Sequence, residues 1–250
     1  MKTLIPLVVL LLLSFQTKIF SQPCLPEGIT FSTQTQIDNF QSDYPGCTEI
    51  EGSVTISGSG ITHLNGLNVL TSIGGDLSIF ENDSLTSLTG LGNLTSVGGN
   101  VRIAGNPVLT SVSALNNLTY IPGNLEIGVF YAQNFHGNPL LSDLTGFNNL
   151  DSIGGSLHIF QNSSLLDLRG LGNLKKIMID LEIGGMWAGG NWSMIDLTGM
   201  GNLVSVGGTF EVVQNRALKD FSGLDNLICI GGNLTIYDND SLINLSGLSN

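Results

Sequence analysis

Two short stretches hold most of the chemistry on offer in this 250-residue chain. Gly128–Gly137 reads GVFYAQNFHG and Gly184–Ser193 reads GGMWAGGNWS. They carry Phe130, Tyr131, Phe135, His136, Met186, Trp187 and Trp192, including both tryptophans of the sequence. Clustered aromatics that face water stack on sugar rings or fill sockets on a partner protein. The competing reading is that the two stretches pack on each other and only cover a corner. A second group, Glu126, Glu182 and Glu211 with His158, has acid–base side chains. Their spacing follows a repeat in the chain, not the demands of a metal or a proton-transfer pair. Asp238 and Asp240 lack the glycine–aspartate repeat of calcium-binding β-helices. There is no H-E-x-x-H, G-x-S-x-G, phosphate-cradling glycine loop or zinc-type cysteine pairing. We therefore expect no catalytic residue, no metal and no cofactor.

The elements that place these residues come from a repeat of 24 residues, typified by Asp76–Gly99, DLSIFENDSLTSLTGLGNLTSVGG. It returns at Asn100–Gly123, Ser156–Ile179 and Thr209–Gly232, and with insertions at Asn124–Gly155 and Asp180–Gly208. A shorter copy is Ser53–Gly75, and a last copy is cut off at Asn250. A fixed period of this length signals a solenoid. Numbering from Asp76, places 2 and 4 alternate as a half-buried strand: Leu77 and Ile79, Val101 and Ile103, and so on to Leu234 and Ile236. Places 10, 13, 16, 19 and 22 are also apolar, as in Leu85, Leu88, Leu91, Leu94 and Val97. Spacing of three around Gly90 and Gly92 suits a chain that winds round a core, not a long helix. Place 7 is asparagine: Asn82, Asn106, Asn138, Asn162, Asn191, Asn215 and Asn239. Stacked, these amides can bond the backbone of the neighbouring rung. Gly98-Gly99 is expected to turn the chain with positive φ, and Met178-Ile179, which replaces that pair, to turn differently.

The expected fold is mainly β: a right-handed β-solenoid of about eight rungs at a strand spacing of about 4.8 Å. One rung cannot offset its own ordering entropy, so stability comes from stacking. Both aromatic insertions leave just after a strand, two rungs apart, with bases about 10 Å apart. Phe160, on the rung between, should point outward beside them. Place 3 (Ser78, Arg102, Glu126, His158, Glu182, Glu211, Thr235) forms an exposed sheet face, a common docking surface of solenoids.

Residues 1–22 read as a secretory leader: Lys2 is followed by the apolar run Leu4–Leu13, too short to span a bilayer at about 20 residues, and by Ser21. Residues 23–52 read as an N-terminal cap, and 53–250 as the solenoid. Within the cap, Thr33–Ser42 should be one short helix with a Thr33/Gln36 capping box, an apolar face of Ile37 and Phe40, and a stop at Pro45-Gly46. Export permits disulfides, and Cys24 and Cys47 bracket this helix, so we pair them. Cys229 is left as a free, partly shielded thiol. The formal charge is −12, and −14 without Lys2 and Lys18. That disfavours nucleic acid and anionic membranes. Eight N-x-S/T sequons fall mostly on repeat asparagines.

Two resemblances meet in these motifs. Leu77-Ser78-Ile79-Phe80-Glu81-Asn82 is similar to the strand segment of leucine-rich repeats. Cys24, then Pro45-Gly46-Cys47-Thr48-Glu49-Ile50-Glu51-Gly52-Ser53-Val54-Thr55-Ile56, resembles the receptor L domain, the ligand-binding solenoid of insulin- and EGF-type receptors. The same lead-in recurs at Ile73–Ile79 and Ile230–Ile236. The leader and the regular array resemble bacterial secreted members of this group, which often carry a C-terminal sorting domain. The cysteine-rich modules and membrane helix of animal receptors are absent from this stretch. The resemblance therefore implies the fold and surface recognition, not receptor signalling. The expected function is a non-enzymatic, exported recognition or adhesion module, secreted or at the cell surface, whose partner is an extracellular protein or a glycan. The alternative is a structural spacer that displays another domain. A carbohydrate-active β-helix enzyme would need clustered acids and a base in one groove, and the chain is poor in Lys and Arg.

Overall fold

Each copy of the repeat closes one turn of a parallel β-solenoid. The computed structural model describes residues 22–131, 134–185 and 189–249, and the side chains of all of these except 22 and 129–136. The segment 1–21, which holds nearly all of the expected leader, lies outside the described residues. One flank is a nine-stranded parallel sheet made of Ile29–Phe31, Val54–Ile56, Leu77–Phe80, Val101–Ala104, Leu125–Ile127, Leu157–Ile159, Leu181–Ile183, Phe210–Val213 and Leu234–Tyr237. Its register is even, so Leu77, Val101, Leu125, Leu157, Leu181, Phe210 and Leu234 stack in one column. A second flank carries two smaller parallel sheets of four and five short strands, from Gln22–Cys24 to Ser96–Val97 and from Tyr120–Ile121 to Cys229–Ile230.

The seven apolar places of each rung fill the interior. In the type copy Leu77, Ile79, Leu85, Leu88, Leu91, Leu94 and Val97 are all buried, and they join one continuous core from Phe31 to Leu227. At the N-terminal end Gln34–Asp38 and Phe40–Asp43 form two short helices that meet at Asn39, where one helix was expected. The capping box is present: the Thr33 N–H donates to Gln36 Oε1 at 3.1 Å, and the Gln36 N–H donates to Thr33 Oγ1 at 3.4 Å. Ile37 and Phe40 are buried, and the Phe40 ring meets Phe31 edge-on at 5.7 Å. Cys24 and Cys47 are disulfide-bonded, with Cα atoms 5.8 Å apart. The segment thus seats an apolar face on the first rung.

Two polar columns sew the rungs together. At place 1, Asp76 Oδ1 accepts from Asn100 N at 2.6 Å, Asn100 Oδ1 from Asn124 N at 2.8 Å, and Asn124 Oδ1 from Ser156 N at 2.8 Å. Ser156 Oγ then accepts from Asp180 N at 3.1 Å, and Asp180 Oδ1 from Thr209 N at 2.7 Å. At place 18, Asn93, Asn117, Asn149, Asn173, Asn202 and Asn226 each donate from Nδ2 to a carbonyl of the preceding rung, at 2.6 to 2.8 Å.

Three local expectations are corrected. Gly98 and Gly99 do not have positive φ. They are glycine because the chains approach closely: a Cβ on Gly98 would collide with the Gly74 carbonyl, and one on Gly99 with the Asp76 carboxylate. Met178-Ile179 turns like its neighbours. Met178 N donates to Ile153 O at 3.0 Å and Ile179 N to Gly155 O at 3.1 Å, the bonds that Gly154 and Gly155 make one rung earlier to Ile121 and Gly123. Both side chains project to solvent. Cys229 is free but exposed, because its place in the second flank faces outward.

Candidate functional site

The corner where each strand of the large sheet ends is built round the place-7 asparagines. Asn82, Asn106, Asn138, Asn162, Asn191 and Asn215 are fully buried. Asn162 shows the pattern. Its Nδ2 donates to Ile127 O and Phe160 O, each at 2.9 Å, and its Oδ1 accepts from Asn138 N at 3.2 Å. Its own N–H donates to Asn191 Oδ1 at 3.1 Å. The ladder runs from Gly58 N, which donates to Asn82 Oδ1 at 3.0 Å, to Asn239 Oδ1, which accepts from Asn215 N at 3.0 Å. Sequons at Asn82, Asn162 and Asn191 are therefore locked inside the fold.

In the rungs without an insertion the chain bends at place 6, ahead of the ladder amide. Glu81, Gln161, Gln214 and Asp238 take positive φ of 52 to 59°, and Gly105 takes 63°. Side chains in this left-handed region are uncommon. Here four of them stand outward beside the ladder. Places 6 and 8 together border an open cleft of about 730 Å³ that follows the corner from Ser57 to Trp192. Glu81 and Asp83 lie toward one end, Pro107 and Pro139 in the middle, and Gln161 and Trp192 toward the other. Trp192 is 57% exposed. The Arg216 guanidinium sits 5.8 Å from its ring centre and 3.9 Å from Asp240, so a cation of the next rung braces the indole.

The insertions leave beside this cleft. The first forms an antiparallel hairpin that pairs Val129 with His136, Phe130 with Phe135 and Tyr131 with Asn134. The side chains of Phe130, Tyr131, Phe135 and His136, and the whole of Met186 and Trp187, lie outside the described residues. Phe160 is on the outer face, as its place requires, but it is only 6% exposed. Its ring stacks on His158 at 5.6 Å and 11°, between Gly128 and Gly184, where the two insertions begin. Ala104 and Val213 in the same row are buried too. Phe160 is covered in the middle of this row, whereas Tyr237 on its last rung is 48% exposed.

The outer face of the large sheet is occupied by its own charges. Arg102 Nε meets Glu126 Oε2 at 2.6 Å, and His158 Nε2 lies 3.9 Å from Glu182 Oε2. Burial, and then the adjacent Glu182 carboxylate, push the Glu211 carboxyl above its ordinary pKa. Among the described residues no group of His, Cys, Asp and Glu could hold a metal ion. The residues that define the cleft are absent from the aromatic set read in the sequence, except Trp192. A signal was present: places 6 and 8 flank every ladder asparagine and must face out once that asparagine turns in.

Residues 46–145, about two fifths of the chain, match the family model described as Receptor L domain. No curated protein and no solved structure matches the chain.

Proposed function

We propose that this receptor L-domain solenoid is an exported, non-enzymatic recognition module that takes its partner, an extracellular protein or a glycan, in the cleft beside the asparagine ladder. The family is one of ligand-binding extracellular domains, and the match covers the first four of the six rungs that border the cleft. The observation that carries the reading is Trp192: a large apolar ring left open to water, braced by Arg216, at the end of an open cleft. Exposed indoles of this kind are frequent binding anchors. The sheet face is the weaker candidate, because Arg102 and Glu126 already satisfy one another there. Export rests on the Lys2 and Leu4–Leu13 leader pattern and on the Cys24–Cys47 disulfide, which fits an oxidising compartment. Among the described residues no helix is long and apolar enough to cross a membrane.

The test is a panel of extracellular proteins and glycans screened against the purified protein and its Trp192→Ala variant. At least one ligand should bind and lose about tenfold in affinity in the variant, with an unchanged melt. A blank panel from a protein that melts cooperatively would favour the spacer reading.

A further inference from the structure

The chemistry of the cleft narrows the partner beyond the reading above, on which this step rests. We infer that the occupant is a linear glycan, uncharged or amino-bearing, lying along the solenoid axis across several rungs.

Length is the first ground. The cleft borders six successive rungs, from Ser57 to Trp192. Five steps at about 4.8 Å give a channel of about 24 Å, which suits an extended oligomer and not a single small molecule. The second ground is the state of the main chain. Peptide recognition at a solenoid edge works by adding a strand to unpaired N–H and C=O groups. Here part of that row is already paired. The ladder amides take the place-7 N–H groups and the carbonyls that end each strand. The place-6 N–H groups of Glu81, Gly105 and Gln214 donate to the next rung at 3.2, 3.0 and 3.1 Å. These pairings interrupt the row that a peptide strand would have to join.

The third ground is the side chains. Among the described residues no Leu, Ile, Val or Phe lines the cleft, so it lacks sockets for apolar peptide side chains. It presents flat apolar surfaces instead: the pyrrolidine rings of Pro107 and Pro139 and the indole of Trp192. Between and beside these are hydrogen-bonding ends from Glu81, Asp83 and Gln161. Rings that stack on C–H faces, interleaved with carboxylate and amide groups that bond hydroxyls, suit a chain of sugar rings. Among the described residues the charged groups lining it are Glu81 and Asp83, and the Arg216 guanidinium behind Trp192 lies 3.9 Å from Asp240. Glu81 and Asp83 repel uronate or sulfate chains and attract an amino substituent.

Calorimetric titration of the purified protein tests this with four series: cello-oligosaccharides, N-acetylchitooligosaccharides, chitosan oligomers and alginate oligomers. In at least one of the first three, affinity should rise about tenfold or more from dimer to hexamer and fall about tenfold in Trp192→Ala. Alginate should not bind. If chitosan is the ligand, Glu81→Gln with Asp83→Asn should weaken it while leaving the melt unchanged, since glutamine already occupies the matching position at Gln161 and Gln214. Failure of all three series, preference for alginate, or equal affinity of dimer and hexamer would overturn the inference. A protein ligand lost in Trp192→Ala, with no glycan bound, would overturn it and leave the recognition reading standing. No Trp192-dependent ligand of either kind would overturn both.

Discussion

Asn162→Ala is expected to lower the melting temperature by about 10 °C or more, the largest effect of any single side-chain truncation on this corner. The variant removes an amide that is fully buried in mid-array. It leaves the Ile127 and Phe160 carbonyls and the Asn138 N–H without the partners now at 2.9, 2.9 and 3.2 Å. Each buried group left unpaired costs about 1–3 kcal/mol, so the three together cost about 3–9 kcal/mol. Water cannot readily replace the amide, because Ala104 and Phe160 on the outer side are buried. Asn239→Ala is the internal control. Asn239 makes the same kinds of bond, to Val212 O at 2.8 Å and Tyr237 O at 3.1 Å, but it is only partly buried on the last rung. Its loss should cost less than half as much. Chemical denaturation of the two variants measures the difference. Equal, small shifts would mean that the ladder is decoration on a core that holds itself.

Gly199→Ala is expected to cost about 3 kcal/mol or more. Gly199 has φ of 111°, a region that side chains avoid, and an added Cβ would strike the Leu168 carbonyl of the rung below. The same holds at Gly90, Gly170, Gly223 and Gly247, with φ from 99 to 115°. Other rungs solve this turn differently. Asn65–Leu67, Ser113–Leu115 and Thr145–Phe147 form 3₁₀ turns, and Ala114 fits there without positive φ. Ala114→Gly should therefore cost at most about 1 kcal/mol, from chain entropy alone. The pair separates backbone strain from general sensitivity of the array to alanine and glycine exchange. A Gly199→Ala melt within the error of the wild type would show that the rung relaxes into the 3₁₀ form.

The core was legible in the sequence because burial acts on every rung alike. Leu77, Ile79, Leu85 and their copies repeat the same apolar places, so the winding and the column of asparagines can be read from one line of text. What stayed hidden depends on contacts between rungs. Asp76, Asn100, Ser156 and Asp180 form one hydrogen-bonded column, yet their residue types differ, because each must supply only one acceptor. Glycine at Gly98 and glycine at Gly199 look alike in text, but one avoids a collision and the other also holds a left-handed turn. Phe160 has the outward place of an exposed ring, and only the stacked structure shows it covered. The cleft is the extreme case. Pro107, Gln161 and Glu81 are ordinary in their own rungs and become a surface only when the rungs align.

The most direct test of a ligand site at Trp192 is acrylamide quenching of its fluorescence, in the Trp187→Phe variant so that one indole reports. Without ligand the quenching should be strong, as a ring 57% exposed requires. With the strongest ligand of the panel at saturation, quenching should fall by about half or more, the mark of an aromatic anchor covered by its partner. Unchanged quenching with the site saturated would place the ligand elsewhere on the solenoid and contradict the account.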